Sequence, residues 1–283
     1  IKLLPKFDFI IDCCAEPSVE ASRKSSRDAI RVFKTNLEGT LNILLKCQKD
    51  KSSIIFLSSS RAYSIDSLKK LNEHNYTINN SLKIKKSIGL KFDTSSPKTL
   101  YGFTKLASED LIREFSYANN IKYIINRCGV ITGPWQMGKV DQGFVSFFVW
   151  NISNKRNIKF IGFGGYGYQE RDLLHIDDLN ELILKQIKKF NKLNSQSYSV
   201  GGGLKNLISL KLLKKKIENI TGNKVKSLPV KSTSIYDIPY FLTDNKTIKK
   251  VYNWQPKKNI NTIINDIYNW QNQNYKILKK IFK

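Results

Sequence analysis

The sequence predicts an α/β fold, a doubly wound parallel sheet followed by a smaller and less regular C-terminal region. Three apolar, strand-like runs, FDFIID, IIFL and YIINR, alternate with two long stretches of helical periodicity. The order strand, helix, strand, helix, strand implies parallel pairing through right-handed crossovers. Each apolar run also stops in small or polar residues, AEPS, SSSR and RCGV. Those three ends should lie side by side at the carboxyl edge of the sheet, where such folds hold their ligands.

Taken in order, Phe7 to Cys14 reads as a buried strand. Ser25 to Lys49 repeats Ile30, Phe33, Leu37, Leu41, Leu44 and Leu45 at helical spacing, and Ile54 to Leu57 is a second strand. The polar stretch from Asp66 to Pro97 reads as a long loop of the binding rather than the linker kind. A second helix runs from about Leu100 to Ala118 with Leu106, Leu111, Ile112 and Phe115 on one face, and Tyr123 to Arg127 is a third strand closed by Gly133-Pro134. Gly162, Gly164, Gly165 and Gly167 have no strand-to-helix setting upstream, so they read as a substrate-side turn. RDLLHIDDLNELILKQI reads as an acidic-capped helix and SYSVGGG as a short strand entering a turn. The remainder is helical, with SLPVKSTSIYDIPYF between helices.

The 283 residues, 41% of them hydrophobic, can bury a sizeable core. Lys and Arg number 48 against 23 acidic residues, a formal charge of +25. That charge would suit nucleic acid. No RNA-recognition signature or zinc-finger spacing accompanies it, and Lys, Asn and Ile are over-used from end to end, so the charge reads as composition. Attraction for a phosphorylated substrate is the milder corollary. No apolar run approaches a membrane span. Cys13, Cys14, Cys47 and Cys128 contain no C-x-x-C, and only His74 and His175 supply imidazole. A reduced cytosolic compartment and no metal centre follow as expectations. The sequence begins without Met, directly before a strand, and is read as a fragment.

Tyr101 and Lys105 stand four apart on the second helix and so share a face. An ammonium beside a phenol favours the phenolate, and a phenol tuned that way can take or return an alcohol proton near neutral pH. A serine among Ser58, Ser59 and Ser60 could hold the same alcohol. Tyr275 and Lys279 repeat the spacing, but they lie in the last turns of the chain, away from any strand ending in serines.

The series DCCAEPSV, NLEGTLN, FLSSSRAYS, SPKTLYGFTK and RCGVITGP resembles the extended short-chain dehydrogenase/reductase family, which includes the nucleotide-sugar epimerases and dehydratases. The likeness continues through QERDLLHIDDL, YSVGGG and YNWQP. It implies a Rossmann-like doubly wound parallel sheet, its first βαβ part missing, with a smaller C-terminal substrate-binding domain. The implied division is 1-134 and 171-200 for NAD, and 135-170 and 201-283 for a nucleotide sugar. Tyr101 matches the catalytic tyrosine and Lys105 the lysine that also holds the nicotinamide ribose. The family's catalytic Ser or Thr stands four residues before Tyr63, which selects Ser59. Cys14 and Ala15 match the small residues that line NAD, with Ser58 and Cys128 beside them. Asn36 matches a residue that props the sheet end. Ser59, Ser60, Gln136, Asp141, Gln142 and Arg171 match substrate-side positions, Arg171 as the fork that meets a diphosphate. Within the family, GPWQMGKVDQGFV is similar to members that epimerise C2 of a CDP-deoxyhexose.

Departures from the family pattern narrow the reading. The glycine-rich turn that seats a pyrophosphate on a helix N-terminus is missing, and the fragment reading places it upstream of Ile1. Val130 replaces an Asn that touches the sugar diphosphate. Ser60-Arg61 replaces the Asp-Glu pair of sugar 4,6-dehydratases, which favours an epimerase. The alternatives are a 4-epimerase or 4-reductase acting on a UDP- or dTDP-sugar, and a catalytically silent member that binds nucleotide or RNA. Family habit implies a homo-oligomer, a dimer or tetramer, through a bundle including the Tyr101 helix. Asp177-Asp178 reads as helix capping.

Overall fold

The computed structural model describes residues 4–17, 19–73, 86–140, 142–193 and 195–282. Its strands, in chain order, are β1 (Phe9–Asp12), β2 (Ser53–Ser59), β3 (Tyr123–Cys128), β4 (Val130–Thr132), β5 (Ile158–Ile161), β6 (Glu170–His175), β7 (Gln196–Val200), β8 (Leu207–Ser209), β9 (Ser227–Val230) and β10 (Tyr240–Phe241). Four of them form a parallel sheet in the order β1-β2-β3-β7. Strand residues alternate between faces, and both faces of β2 are buried. Ile54 and Phe56 pack with Leu44, Cys47 and Ile112, whereas Ile55 packs with Leu179, Leu182 and Tyr198. This two-sided covering is the physical content of a doubly wound sheet. The pairing Ser59 with Cys128, and Cys128 with Val200, brings three strand ends into one row.

A second set of strands runs β10-β6-β4, with β8 antiparallel on β6, and β5 pairs with β9 in parallel. Behind β5, the helices Phe144–Ser153, Leu210–Thr221 and Ile260–Gln273 close a separate core around Phe148, Phe160, Leu213 and Ile264. Gly202 lies against β6 so closely that a Cβ there would stand 2.0 Å from the Leu173 carbonyl oxygen, which accounts for one glycine of YSVGGG. Among the described residues no helix is long and apolar enough to cross a membrane.

Four details differ from the sequence expectation. The stretch expected to be one loop from Asp66 begins as the helix Ile65–Glu73. Ile65 and Leu68 fall three apart and pack with Tyr63, Ile88 and Phe241, which overrides the polar residues between them. The centre of that stretch, with His74, lies outside the described residues. The acidic-capped helix starts only at Ile176, because Leu173 and Leu174 are taken into β6, where they point to opposite faces and enter two separate cores. His175 caps it, its Nδ1 accepting the Asp177 N–H at 3.0 Å. The connection SLPVKSTSIYDIPYF contributes β9 and β10. Finally, the first long helical pattern is the helix Ser26–Phe33, a π-helical segment Lys34–Glu38 and the helix Gly39–Asp50, and its Ile30, Phe33 and Leu45 are exposed rather than core.

Candidate active site

The strand ends open onto a cleft of about 790 Å3. Ser59 closes β2 in extended backbone and its Oγ accepts the Arg61 N–H at 3.1 Å. That acceptance leaves the hydroxyl proton free to donate into the cleft. Thr99 caps the helix Leu100–Asn119 by accepting the Gly102 N–H at 2.9 Å, which places Tyr101 in the first turn. Gly102 is required by contact: a Cβ there would stand 2.0 Å from the Arg61 carbonyl oxygen, so the helix start and the turn Ser60–Ala62 meet backbone to backbone. Ser59, Tyr101 and Lys105 all line the cleft.

One carboxylate fixes this wall. Glu109 lies one helical turn beyond Lys105, is fully buried, and accepts from Ser58 Oγ at 2.5 Å, Arg127 Nε at 2.9 Å, Arg127 Nη2 at 2.6 Å and Arg113 Nη2 at 2.9 Å. It therefore ties the tyrosine helix to β2 and β3 together. Asn36, in the π-helical segment, does the same for the loop after β1. Its Oδ1 accepts the Glu16 N–H at 2.7 Å, and its Nδ2 donates to Glu16 O at 3.2 Å and to Thr104 Oγ1 at 3.0 Å. Extra-residue turns of this kind recur at functional sites.

The opposite wall is built from β5, β6 and the segment 231–239. Arg171 donates through Nη1 to Glu170 O at 2.8 Å and through Nη2 to Ile238 O, with Asp237 Oδ1 at 3.3 Å. Lys69 Nζ holds Ile235 O at 2.9 Å, Arg61 Nη1 holds Tyr236 O at 2.9 Å, and Ser234 Oγ donates to Glu20 Oε1 at 2.6 Å. Lys159, Ile161, Phe144 and Phe148 extend the wall as a cationic and then apolar surface.

The electrostatics differ from the sequence expectation. Burial pushes the Tyr101 phenol above its ordinary value; the Ser59 hydroxyl and the Arg61 charge oppose that, and Cys128 adds to it. The Lys105 ammonium sits 4.2 Å from the Phe56 ring centroid, with Asp12 as its main charge partner, because one helical turn carries it deeper under β1 and β2. Burial lowers Lys105 and raises Asp12, and each opposes the shift of the other. Burial pushes the Cys128 thiol up to about 12, so it is neutral.

The strand-end wall fits the flat end of a dinucleotide. Cys13, Ala15, Ser59 and Gly129 are small, and Lys105, 3% exposed, has no hydrogen-bond acceptor among the described residues, so its ammonium is available to ribose hydroxyls.

Of the residues singled out from sequence, the cleft gathers Ala15, Ser58, Ser59, Tyr101, Lys105, Cys128, Gln136, Gln142 and Arg171. Cys13 rather than Cys14 lines it, and Ser60 belongs to the turn that carries Arg61. The hydroxyl of Ser58 is committed to Glu109. The Gln136 amide is committed to its own turn, accepting from Thr132 Oγ1 at 2.9 Å and donating to Ile131 O at 3.1 Å. Asp141 lies outside the described residues. Tyr275 stacks on Trp150, away from the cleft. Asp12, Arg61, Glu109 and Asp237 were not singled out as site residues; Glu109 had a signal in the continuation of the 101, 105, 109 face, and Arg61 in its place at the position of the dehydratases' Asp-Glu pair. Asp177 does meet a cluster: His175, Asp177 and Asp266 offer ligand atoms within 4.8 Å of one another. Lys258 already bridges its two carboxylates at 2.8 Å and 2.6 Å, so the cluster is closed by its own cation.

The model of the NAD dependent epimerase/dehydratase family matches residues 1–201. The chain is 28% identical over 236 residues to the CDP-paratose 2-epimerase of Salmonella typhi, covering 80% of this chain and 67% of that protein. It is 27% identical over 249 residues to the UDP-glucuronate 4-epimerase of Thermodesulfobacterium geofontis, covering 87% and 68%. The solved UDP-glucuronic acid 4-epimerase of Bacillus cereus, in complex with UDP-glucuronic acid and NAD, superposes with a TM-score of 0.76 at 20% identity, over 95% of this chain and 76% of that one. That last likeness is one of fold.

Proposed function

The chain belongs to the NAD dependent epimerase/dehydratase family, and from that premise we propose that it inverts a carbon of a nucleotide sugar, C2 of a CDP-deoxyhexose, by transient oxidation to a keto-sugar. The observation that carries this is the sharing of one cleft by Ser59, Tyr101, Lys105 and the pinned Arg171. NAD, the cofactor of this family, supplies hydride acceptance and return when bound. The chain supplies the rest. Lys105 holds the ribose hydroxyls, and Ser59 donates to the reacting oxygen of the sugar. Tyr101 takes the hydroxyl proton as that carbon is oxidised and returns it when the keto-sugar, turned over in the cleft, is reduced on its other face. Arg171 and Lys159 meet the diphosphate, and Ile161 and Phe148 offer the apolar surface for the base. In this reading 1-134 and 171-200 serve the cofactor, and 135-170 and 201-283 the sugar nucleotide.

A second reading, 4-epimerisation of a UDP-sugar, is supported by the nearly equal likeness to the UDP-glucuronate 4-epimerase. Incubating the full-length protein and NAD with CDP-, UDP- and dTDP-hexoses, and reading the products by NMR, separates the two. Inversion at C2 of the CDP-deoxyhexose supports the first; inversion only at C4 of a UDP-sugar replaces it. Absence of turnover together with salt-sensitive RNA retention would favour a silent binding protein.

Exposed Phe33 and half-buried Leu37 and Leu41 form a surface groove with Ala107 and Leu111 of the tyrosine helix, lined also by Glu38, Asp110 and Glu114. We read this face as the contact of a homodimer. Leu111→Asp should halve the mass seen in sedimentation; an unchanged mass would exclude the face.

A further inference from the structure

The glycine-rich turn after β5, expected on the substrate side, lies instead against the back of the far wall. Gly165 and Gly167 both take left-handed backbone. A Cβ would stand 2.6 Å from Pro229 Cβ at the first and 2.8 Å from the Phe160 ring at the second. The turn therefore lies flat on β5 and β9. Two backbone bonds fasten it to the start of the helix Leu210–Thr221, Leu210 N–H to Gln169 O at 3.2 Å and Lys211 N–H to Gly167 O at 2.8 Å.

Turn, strands and helix enclose a second cavity of about 750 Å3, close in size to the catalytic cleft and sharing no lining residue with it. Strand alternation accounts for the separation. Lys159, Ile161 and Arg171 face the cleft, whereas their chain neighbours Phe160 and Glu170 line the second cavity. A space of this volume suits a small ligand.

One part of the lining is aromatic. Tyr166 and Tyr168 stack with ring centroids 5.7 Å apart, and Tyr166 is exposed. The other part is cationic. Lys211 and Lys215 stand four apart on one helix face, both exposed, and neither has an ion-pair partner among the described residues. Lys211 Nζ sits 5.2 Å from the Tyr168 ring centroid, and Lys214 is closed by Glu218 at 2.6 Å. Lys211 also stands at the unfavourable end of its helix. A helix N-terminus carries positive partial charge and favours acids, as in the helix Ile176–Lys189 with Asp177 and Asp178 in its first turn. The helix Leu210–Thr221 has no acid there. Its first N–H groups are committed to Gln169 O, Gly167 O and Ser209 Oγ, so an anion would be met by the ammonium groups.

We propose that this cavity is a second binding site, separate from the catalytic cleft, for a nucleoside phosphate: the base stacks on Tyr166, and the phosphates meet Lys211 and Lys215. This site is additional to the epimerase reading and independent of it.

The test is equilibrium dialysis of labelled ATP and CTP, in metal-free buffer, against the full-length protein holding NAD. Nucleotide should bind at about 1 mM or below, and it should still bind to Arg171→Ala, whose cleft has lost its anion fork. Lys211→Glu with Lys215→Glu should weaken that binding more than about tenfold. The urea midpoint checks that this variant folds, as acids near a helix N-terminus should allow. Tyr166→Ala, at an exposed position, should weaken binding about three- to tenfold. Adenosine and tripolyphosphate, each carrying half of the ligand, should bind more weakly than ATP. Binding that is lost in Arg171→Ala and kept in the lysine variant belongs to the cleft and overturns the assignment. Tripolyphosphate binding as tight as that of ATP, together with indifference to Tyr166→Ala, would leave only attraction to positive charge and overturn it too. So would failure of the unaltered protein to bind either nucleotide at that concentration.

Discussion

The two walls of the cleft are held together by different means. The strand-end wall hangs on bonds between regular elements: one buried carboxylate, Glu109, joins helix to two strands, and one amide, Asn36, joins loop to helix. The opposite wall hangs on side chains reaching the carbonyls of one irregular segment, Lys69 to Ile235, Arg61 to Tyr236 and Arg171 to Ile238. Proton and hydride transfer lose much of their rate with small misplacements of the reacting groups, so the stiff wall suits the reaction. A wall that must grip a diphosphate and still let a keto-sugar turn over is better made from a few replaceable bonds. Changes to the first wall should therefore act on kcat, and changes to the second on KM.

The largest effect should come from Tyr101→Phe. The substitution keeps the ring and its packing and removes only the group that carries the proton, so kcat should fall by about 10^3-fold while NAD still binds. Product NMR measures the first and cofactor fluorescence the second. Full activity in this variant would remove the reaction from the stiff wall and end the comparison.

Next in size is Glu109→Ala. It leaves Arg127, itself 5% exposed, without its partner, and breaking a buried pair from one side costs about 3–5 kcal/mol. Urea unfolding should show that loss as a lower midpoint, and kcat should fall further than KM rises because Tyr101 and Lys105 ride on the same helix. A loss under about 1 kcal/mol, the scale of an exposed pair, would show that the wall is not fixed by this carboxylate.

The stiff wall was also the more legible one. Tyr101, Lys105 and Ser58 to Ser60 stand where apolar runs end and a helical repeat begins, which local periodicity can read; the choice of Ser59 among the three came from the family resemblance. Their charge environment was not legible. Spacing put Lys105 beside Tyr101, but the fold seats the ammonium over Phe56 with Asp12 as its main charge partner, and burial raises the phenol. The far wall was nearly silent. Arg61 meets Tyr236 across 175 positions and Lys69 meets Ile235 across 166, and no pattern within a window of the sequence encodes such pairs. Leu173 and Leu174 show the same limit within the fold: two adjacent buried leucines fit a helix or a strand, and only the pairing with β4 decides.

The smallest effects should separate two cations on the adjustable wall. Arg171 is 12% exposed and braced by carbonyls and Asp237, so its fork is preset for an anion. Hydrogen bonds to charged groups are worth about 1.5–3 kcal/mol, and Arg171→Ala should raise KM roughly 10- to 100-fold with kcat little changed. Lys159 lines the same cleft from the solvent side of β5. An exposed charge contributes about 0.2–1 kcal/mol, so Lys159→Ala should raise KM only about two- to fivefold, and added salt should erase that difference because screening acts on exposed charges first. Equal, salt-independent losses in the two variants would mean that bracing by the segment 231–239 adds nothing to binding. The distinction between a preset and a merely nearby cation would then fail, and with it the assignment of selectivity to this wall.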